Sequence, residues 1–445
     1  MSVVVTLVPT ICRDAQGTAP SLRFSRESDE QGGHGGCDIG QTAETEFMSS
    51  SPDTATLAVR AALETDSQHG AVVPPLHLSS NYTFDGFGNK RRYDYCRSGN
   101  PTRDALGEAL CSLEGGAGAV VTSSGMAALT LIAHLLDPGD LLVAPHDCYG
   151  GTWRLFENLA AKGHFELAFV DQTDDAALRQ ACARKPRLIL VETPSNPLLR
   201  IVDIEKVAEL ARACGALLAV DNTFLSPALQ QPLALGADLV VHSTTKYLNG
   251  HSDVVGGAVV ASSAELAERL AWWGNCLGVT GAPFDSYLTL RGVRTLHARM
   301  RQHEENANRL ARVLDQHAAV ERVWYPGLAS HPGHEIALRQ QRGFGGMLSF
   351  EIAGGQGAVR RFVEHLQYFS LAESLGGVES LVCHPPSMTH APVSPEGLAA
   401  AGIGQALIRL SVGIESGDDL VADVLAALEA ATAARPVAVA ASVPA

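Results

Sequence analysis

The sequence predicts an α/β protein: a mostly parallel sheet of about seven strands, followed by a smaller C-terminal α+β domain. Three observations carry this reading. Between about residues 100 and 265, apolar runs of four to eight residues recur with helical stretches between them. The runs are apolar throughout rather than alternating, as strands covered on both faces must be. After about residue 300 this rhythm stops, and helix-rich sequence leads into two isolated strand runs.

Residues 1 to about 50 hold GGHGG (Gly32 to Gly36) and scattered small polar residues without a sustained period. They are expected to be disordered. Met48, just ahead of SSSPDTATLAVR, is expected to be the natural start. The strand runs are AVVT (119–122), LLVAP (141–145), FELAFVD (165–171), RLILVE (187–192), ALLAVD (216–221), ADLVVH (237–242) and GGAVVA (256–261). Helical spacing between them is clearest at Val207, Leu210, Ala211 and Cys214, which fall at i, i+3, i+4 and i+7. Strands joined by helices make a parallel sheet, whose chemistry gathers at the C-terminal strand ends. In the second domain, residues 301–320 read as helix, and MLSFEIAG (347–354) and ALIRLSVGI (406–414) as strands. Val421, Val424, Leu425 and Leu428 line a closing amphipathic helix, and ARPVAVAASVPA is expected to be a loose tail. The expected boundaries are an extension over 1–50, an arm over 51–98, a main domain over 99–304, the smaller domain over 305–432 and the tail over 433–445.

Composition excludes several functions. Of 445 residues, 46 % are hydrophobic and 18 % charged, enough for a sizeable core and unlike a disordered chain. The net charge of −15 argues against a nucleic-acid binder. There is no apolar run long enough to span a bilayer, and the first residues lack the basic start of a signal peptide. Nine widely spaced cysteines without a CxxC pair argue against a disulfide framework or zinc ribbon and for a reducing cytoplasm. Cys383, His384 and His390 are interrupted by Pro385 and Pro386, so no metal is expected there. His242, His251, Trp272 and Trp273 read as packing or hydrogen-bonding residues.

The glycine clusters do not form a dinucleotide site. Gly115, Gly116 and Gly118, like GFGG (343–346), precede strands, whereas a pyrophosphate loop follows one and opens a helix. TSSGMAAL (122–129) does follow a strand and open a helix, and its free N–H groups can hold one phosphate. Taken alone it reads more readily as an ordinary Ser N-cap. Asp221 ends a strand, where it can hold a cationic ring nitrogen or simply make a turn. Lys246 follows ADLVVHSTTK, where burial would lower its pKa and make it able to form a Schiff base. Ser243 and Thr245 add hydroxyls beside it. A single lysine of this kind is usually a solvated one; the four features in this order form one coherent site for pyridoxal phosphate (PLP).

Six further stretches complete a pattern: DYCRSGNPTRD (94–104), PHDCYGGTWR (145–154), ETPSNP (192–197), VDNTFLSPALQ (220–230), HSTTKYLNGHSDVVGG (242–257) and LAESLGGVESL (371–381). Over roughly residues 54 to 430 the chain resembles the Cys/Met-metabolism family of pyridoxal-phosphate enzymes, nearest to its bacterial γ-replacing members. The resemblance implies PLP fold type I (aminotransferase-like) and a homotetramer, a dimer of dimers whose active sites are shared across the dimer. It implies that Lys246 carries the cofactor covalently, that Asp221 pairs with the ring nitrogen and that Tyr149 stacks on the ring. Gly125, Met126, Ser243 and Thr245 would hold the phosphate, with Tyr95 and Arg97 reaching it from the neighbouring subunit. Arg409 would bind the substrate α-carboxylate, with Asn196 and Ser374 positioning the ligands and Glu373 and Arg154 on the substrate side. Cys96 stands where Ser or Thr is usual, Gly151 where methionine γ-lyases carry Cys, and Glu373 where β-lyases carry an aromatic residue. The implied activity is γ-replacement of O-succinyl-L-homoserine by L-cysteine, giving L-cystathionine and succinate. The rivals are a cystathionine γ-lyase, an O-acetylhomoserine sulfhydrylase and, from another class, a catalytically silent PLP-binding regulator.

Overall fold

A computed structural model describes residues 52–391 and 395–432; the readings for residues 1–50, for Met48 and for the tail at 433–445 lie outside them. In chain order the first part comprises α1 (Thr54–Arg60), α2 (Pro101–Glu114), β1 (Gly118–Thr122), α3 (Gly125–Ala133), β2 (Leu141–Pro145), α4 (Gly150–Ala161), β3 (Glu166–Val170), α5 (Asp175–Ala183), β4 (Leu188–Glu192), α6 (Ile204–Cys214), β5 (Leu217–Asp221), α7 (Ser226–Leu229), β6 (Leu239–His242) and β7 (Gly257–Ala261). There follow α8 (Ala264–Leu277), α9 (Pro283–Val293), α10 (Leu296–Asp315), β8 (Val320–Trp324), α11 (His334–Gln340), β9 (Met347–Ile352), α12 (Gly355–His365), β10 (Ser370–Leu371), β11 (Leu381–Cys383), α13 (Pro395–Ala400), β12 (Leu407–Ser411) and α14 (Gly417–Thr432).

All seven expected strands of the first domain form, in the spatial order β1-β7-β6-β5-β4-β2-β3. The sheet is parallel except at β7, which runs antiparallel to both β1 and β6. Each face is dry. Ala128, Leu129, Phe156 and Leu270 cover one side, and Leu110, Leu113, Val207 and Ala211 the other. Burying such a Leu or Phe contributes about 1.5–3 kcal/mol each. Side-chain caps set where helices begin: Ser124, Asp174, Asp203 and Ser263 each accept a backbone N–H of the first turn, worth about 1 kcal/mol apiece. Gly115, at φ 72°, ends α2 in the left-handed conformation that costs glycine nothing.

The second sheet has five strands in the order β10-β11-β12-β9-β8, where the sequence suggested two. β8 sets two exposed charged residues, Glu321 and Arg322, before two buried ones and so shows no alternation, and β10 and β11 are too short to show a period. The expected boundary at 304/305 falls inside the continuous helix α10, whose Leu310, Ala311 and Leu314 join the core of the second sheet. Between α1 and α2 the arm has isolated bridges and largely exposed side chains.

Candidate active site

A cavity of about 400 Å³ opens where β4, β5 and β6 end, closed on its far side by the segment before β11 and by β12. It is lined by Gly125, Met126, Tyr149, Asn196, Asp221, Ser243, Thr245, Lys246, Glu373, Ser374 and Arg409, most of the residues singled out in the sequence. The sheet delivers the first group. Parallel strands carry their last residues to one edge, and the turns that follow place the next residues on the cavity wall.

At the phosphate end, Ser124 caps α3 by accepting the Ala127 N–H at 3.0 Å. The N–H groups of Gly125 and Met126 belong to the first turn, which has no intrahelical acceptor, and they sit at the positive end of the helix dipole. Gly125 packs tightly on the β6 turn: a Cβ there would lie 2.8 Å from the Ser243 Cβ. That turn is fixed in its own right. The Ser243 N–H donates to Thr223 Oγ1 at 2.9 Å, and the Thr245 hydroxyl bridges to both polar backbone groups of Gly256. Gly125→Ala is expected to push α3 and this turn apart and weaken PLP binding by about tenfold or more. Titration of the purified apoprotein with PLP checks this, alongside an unchanged circular-dichroism spectrum.

At the ring end, Asp221 ends β5 directly beside Glu192, its register partner on β4. Burial raises both carboxyl pKa values, and the Asp221 charge raises that of Glu192 further. Opposing this, Asp221 accepts the Thr223 N–H at 3.0 Å, and Glu192 accepts the N–H groups of Tyr149 and Asn196 at 3.0 and 3.1 Å. Two adjacent carboxyls at the bottom of a cavity make a place for a cation. Glu192 and Thr223 were not singled out beforehand. Yet Glu192 ends RLILVE as Asp221 ends ALLAVD, so the same argument applied to both strands would have found it.

The Tyr149 ring is partly exposed over the cavity, and Gly151 leaves room for it: a Cβ on Gly151 would lie 2.5 Å from its Cε1. Lys246 Nζ donates to Ser374 Oγ at 2.6 Å. Burial first, then the nearby Arg409 charge, brings the Lys246 pKa down to about 8. Arg409, on β12, is buried and donates from Nη1 to Asn196 Oδ1 at 2.8 Å and from Nη2 to the Ser374 carbonyl at 2.9 Å. Its Nε is buried without a partner. Such an unmet donor costs about 1–3 kcal/mol, which an incoming carboxylate would offset. Ser374 sits at φ 82°, a strained conformation for a residue with a side chain.

Three residues of the expected set stand apart. Tyr95 and Arg97 are stacked on each other, with the guanidinium 5.8 Å from the ring centroid, and neither lines the cavity of its own chain. Arg97 also donates to the Asn275 carbonyl at 2.8 Å. Arg154 is exposed on α4 and is not part of the lining. His242 is fully buried and hydrogen-bonded, as its sequence position suggested. Among the described residues no cluster of His, Cys, Asp and Glu is arranged to hold a metal ion, and no helix is long and apolar enough to cross a membrane.

The pattern of the family described as "Cys/Met metabolism PLP-dependent enzyme" matches residues 55–429. The cystathionine gamma-synthase of Escherichia coli is 59 % identical over 370 residues, 83 % of this chain and 96 % of the relative. A cystathionine gamma-lyase of Dictyostelium discoideum is 47 % identical over 375 residues, covering 84 % and 97 %. A Lactococcus lactis protein named cystathionine beta-lyase has the same identity. Among solved structures, cystathionine gamma synthase from Xanthomonas oryzae pv. oryzae in complex with cystathionine superposes with a TM-score of 0.85 at 63 % identity, covering 86 % of this chain and 99 % of that one.

Proposed function

The chain belongs to the Cys/Met metabolism family of PLP-dependent enzymes, and we propose that within it the protein replaces the γ-substituent of O-succinyl-L-homoserine by the thiol of L-cysteine, releasing succinate and forming L-cystathionine. The observation that supports this most is the meeting of Lys246, Ser374 and Arg409 in one cavity, a proton carrier held next to a carboxylate clamp. The relatives named gamma-synthase, at 59 % and 63 % identity, support the substrate pair.

The residues present fit the cofactor. The paired carboxyls Asp221 and Glu192 suit a protonated ring nitrogen, and the Gly125–Ser243 cradle suits a phosphate. When bound, PLP supplies an electron sink that makes the substrate Cα–H and then its Cβ–H acidic. Asp221 would keep the ring nitrogen positive. The N–H groups of Gly125 and Met126 and the hydroxyls of Ser243 and Thr245 would hold the phosphate, and Tyr149 would cover the ring. Lys246, whose amine projects into the cavity beside Ser374, would as a free amine carry protons from Cα and between Cβ and Cγ of a substrate held there. Arg409, oriented by Asn196 and the Ser374 carbonyl, takes the α-carboxylate. Glu373 lies on the substrate side of the wall, whereas Arg154, exposed and outside the lining, is given no role.

We also infer a homotetramer, with Tyr95 and Arg97 of the partner subunit completing the phosphate site. The support is the arm itself, where Phe84, Phe87 and Tyr95 are exposed on a segment with little regular structure. A cytoplasmic location fits seven described cysteines that are all unpaired.

The second reading is a γ-lyase, since a relative of that name is 47 % identical. The deciding experiment runs two steady-state assays on one preparation: O-succinylhomoserine plus cysteine scored for cystathionine, and cystathionine alone scored for 2-oxobutyrate. The first is expected to give the larger kcat/KM. A larger value in the second would make the protein a γ-lyase and leave the site assignments standing.

A further inference from the structure

Beneath the sheet, on the face away from the cavity, lies a buried polar network that the reaction above does not use. Its centre is Glu114, the last residue of α2, 1 % exposed. A carboxylate is out of place there. It sits at the negative end of a helix dipole, away from water, and its Oε2 has no partner. The other oxygen, Oε1, accepts from Asn222 Nδ2 at 3.0 Å and lies 2.7 Å from His242 Nε2. Asn222 and His242 are themselves 0 % exposed. The network continues through Gln230, whose Nε2 donates to Asn222 Oδ1 and to the Thr193 carbonyl, both at 3.0 Å.

The positions of these residues follow the pleat. Thr193 follows Glu192 at the end of β4, Asn222 follows Asp221 at the end of β5, and His242 precedes Ser243 at the end of β6. Neighbouring residues of a strand face opposite sides. The register pairs Asp221 with Val241, so Asn222 and His242 share the other face, where Leu110 and Leu113 of α2 also pack. The ends of all three strands that carry the cavity are therefore joined by hydrogen bonds one residue away from the chemistry.

We propose that Glu114 is a positioning residue: its carboxylate, through Asn222 and His242, holds the ends of β5 and β6 at the spacing that lets Asp221 and the Ser243–Lys246 turn engage the two ends of one cofactor. The proposal rests on PLP being that cofactor. Removing the carboxylate frees the strand ends to move and leaves two buried donors unmet. Arg409 and Ser374, on and beside the strands of the second sheet, are built on other elements and stay in place.

The test is Glu114→Met, with Glu114→Gln as the conservative variant whose carboxamide oxygen can still accept from both donors. Each protein is stripped of PLP and titrated with it, and the pH midpoint of the visible band of the reloaded enzyme is measured with kcat and KM. Glu114→Met is expected to bind PLP about tenfold or more weakly, with a displaced pH midpoint, a lower kcat and a nearly unchanged KM for the acylated homoserine. Glu114→Gln should recover most of the affinity and the midpoint. If Glu114→Met lowers thermal stability yet matches the wild type in PLP affinity and pH midpoint, Glu114 is structural and the proposal is overturned. His242→Phe reads the same quantities from the other side of the pair should Glu114→Met not fold, and collapse of both variants before any binding would assign the network to folding instead. Wild-type protein that does not bind PLP would overturn the cofactor reading itself, an outcome distinct from a wild type that binds and variants that match it.

Discussion

Lys246→Ala is expected to abolish turnover and the visible absorption band of the bound cofactor, while the protein still folds. The side chain does two things no neighbour can take over. Under the proposed function its amine is the covalent attachment point, and once free it would carry the protons of the γ-replacement. Ser374 Oγ, 2.6 Å from Nζ, holds the amine but cannot become a nucleophilic nitrogen. Near-normal kcat in the variant would refute the assignment. A pH dependence follows from the same geometry. Burial and the Arg409 charge lower the Lys246 pKa to about 8, so the apoprotein presents a neutral amine above that pH. The rate at which apoprotein captures PLP should therefore rise with pH, with a midpoint near that value, as stopped-flow absorbance can show. Stability follows the same sign. Between about 8 and 10.5 the unfolded chain holds a proton that the folded one has lost, so this group makes the apoprotein more stable as pH rises through that window.

Asp221→Asn is expected to lower kcat by about 100-fold or more, with KM changed far less. An amide beside the ring nitrogen cannot stabilise a positive charge there, and without that charge the ring accepts electrons poorly. Arg409, the proposed α-carboxylate clamp, makes no hydrogen bond to Asp221 and keeps its own partners, Asn196 and the Ser374 carbonyl. The apoprotein should not lose stability, and this separates an electrostatic role from a structural one. In the wild type, burial raises the pKa of Asp221 above 3.8, and burial together with the Asp221 charge raises that of Glu192 above 4.5. As pH rises above those ordinary values the folded protein must give up protons it holds more tightly than the unfolded chain, and stability falls. Replacing Asp221 removes one of the two adjacent charges, so calorimetry of the apoprotein near neutral pH should give an equal or higher Tm. A kcat close to that of the wild type would count against the pairing. A lower Tm would mean that Asp221 holds the strand end instead.

Much of the first domain could be read in the sequence because its strands are covered on both faces. Runs such as LILVE and LLAVD are apolar at every position up to the terminal acid, and that terminal acid stands out because packing has no need of it. The second sheet was half hidden. VERVW mixes exposed charges with buried residues, and a strand as short as Leu381–Cys383 has no period to detect. The expected boundary at 304/305 falls inside α10, which has one unbroken helical period while serving more than one neighbour.

The amino-acid sequence by itself determined the seven-stranded sheet, the helix start at Ser124 and the strand-end positions of Asp221 and Lys246, because these depend on local periodicity and on the geometry of parallel strands. The tertiary structure decided which distant residues share their space. It set Glu192 against Asp221 and brought Ser374 and Arg409 to Lys246. It also placed Glu114 under the strand ends, far along the chain from Asn222 and His242. Those contacts join residues on separate elements, and packing, not spacing along the chain, brings them within hydrogen-bonding distance.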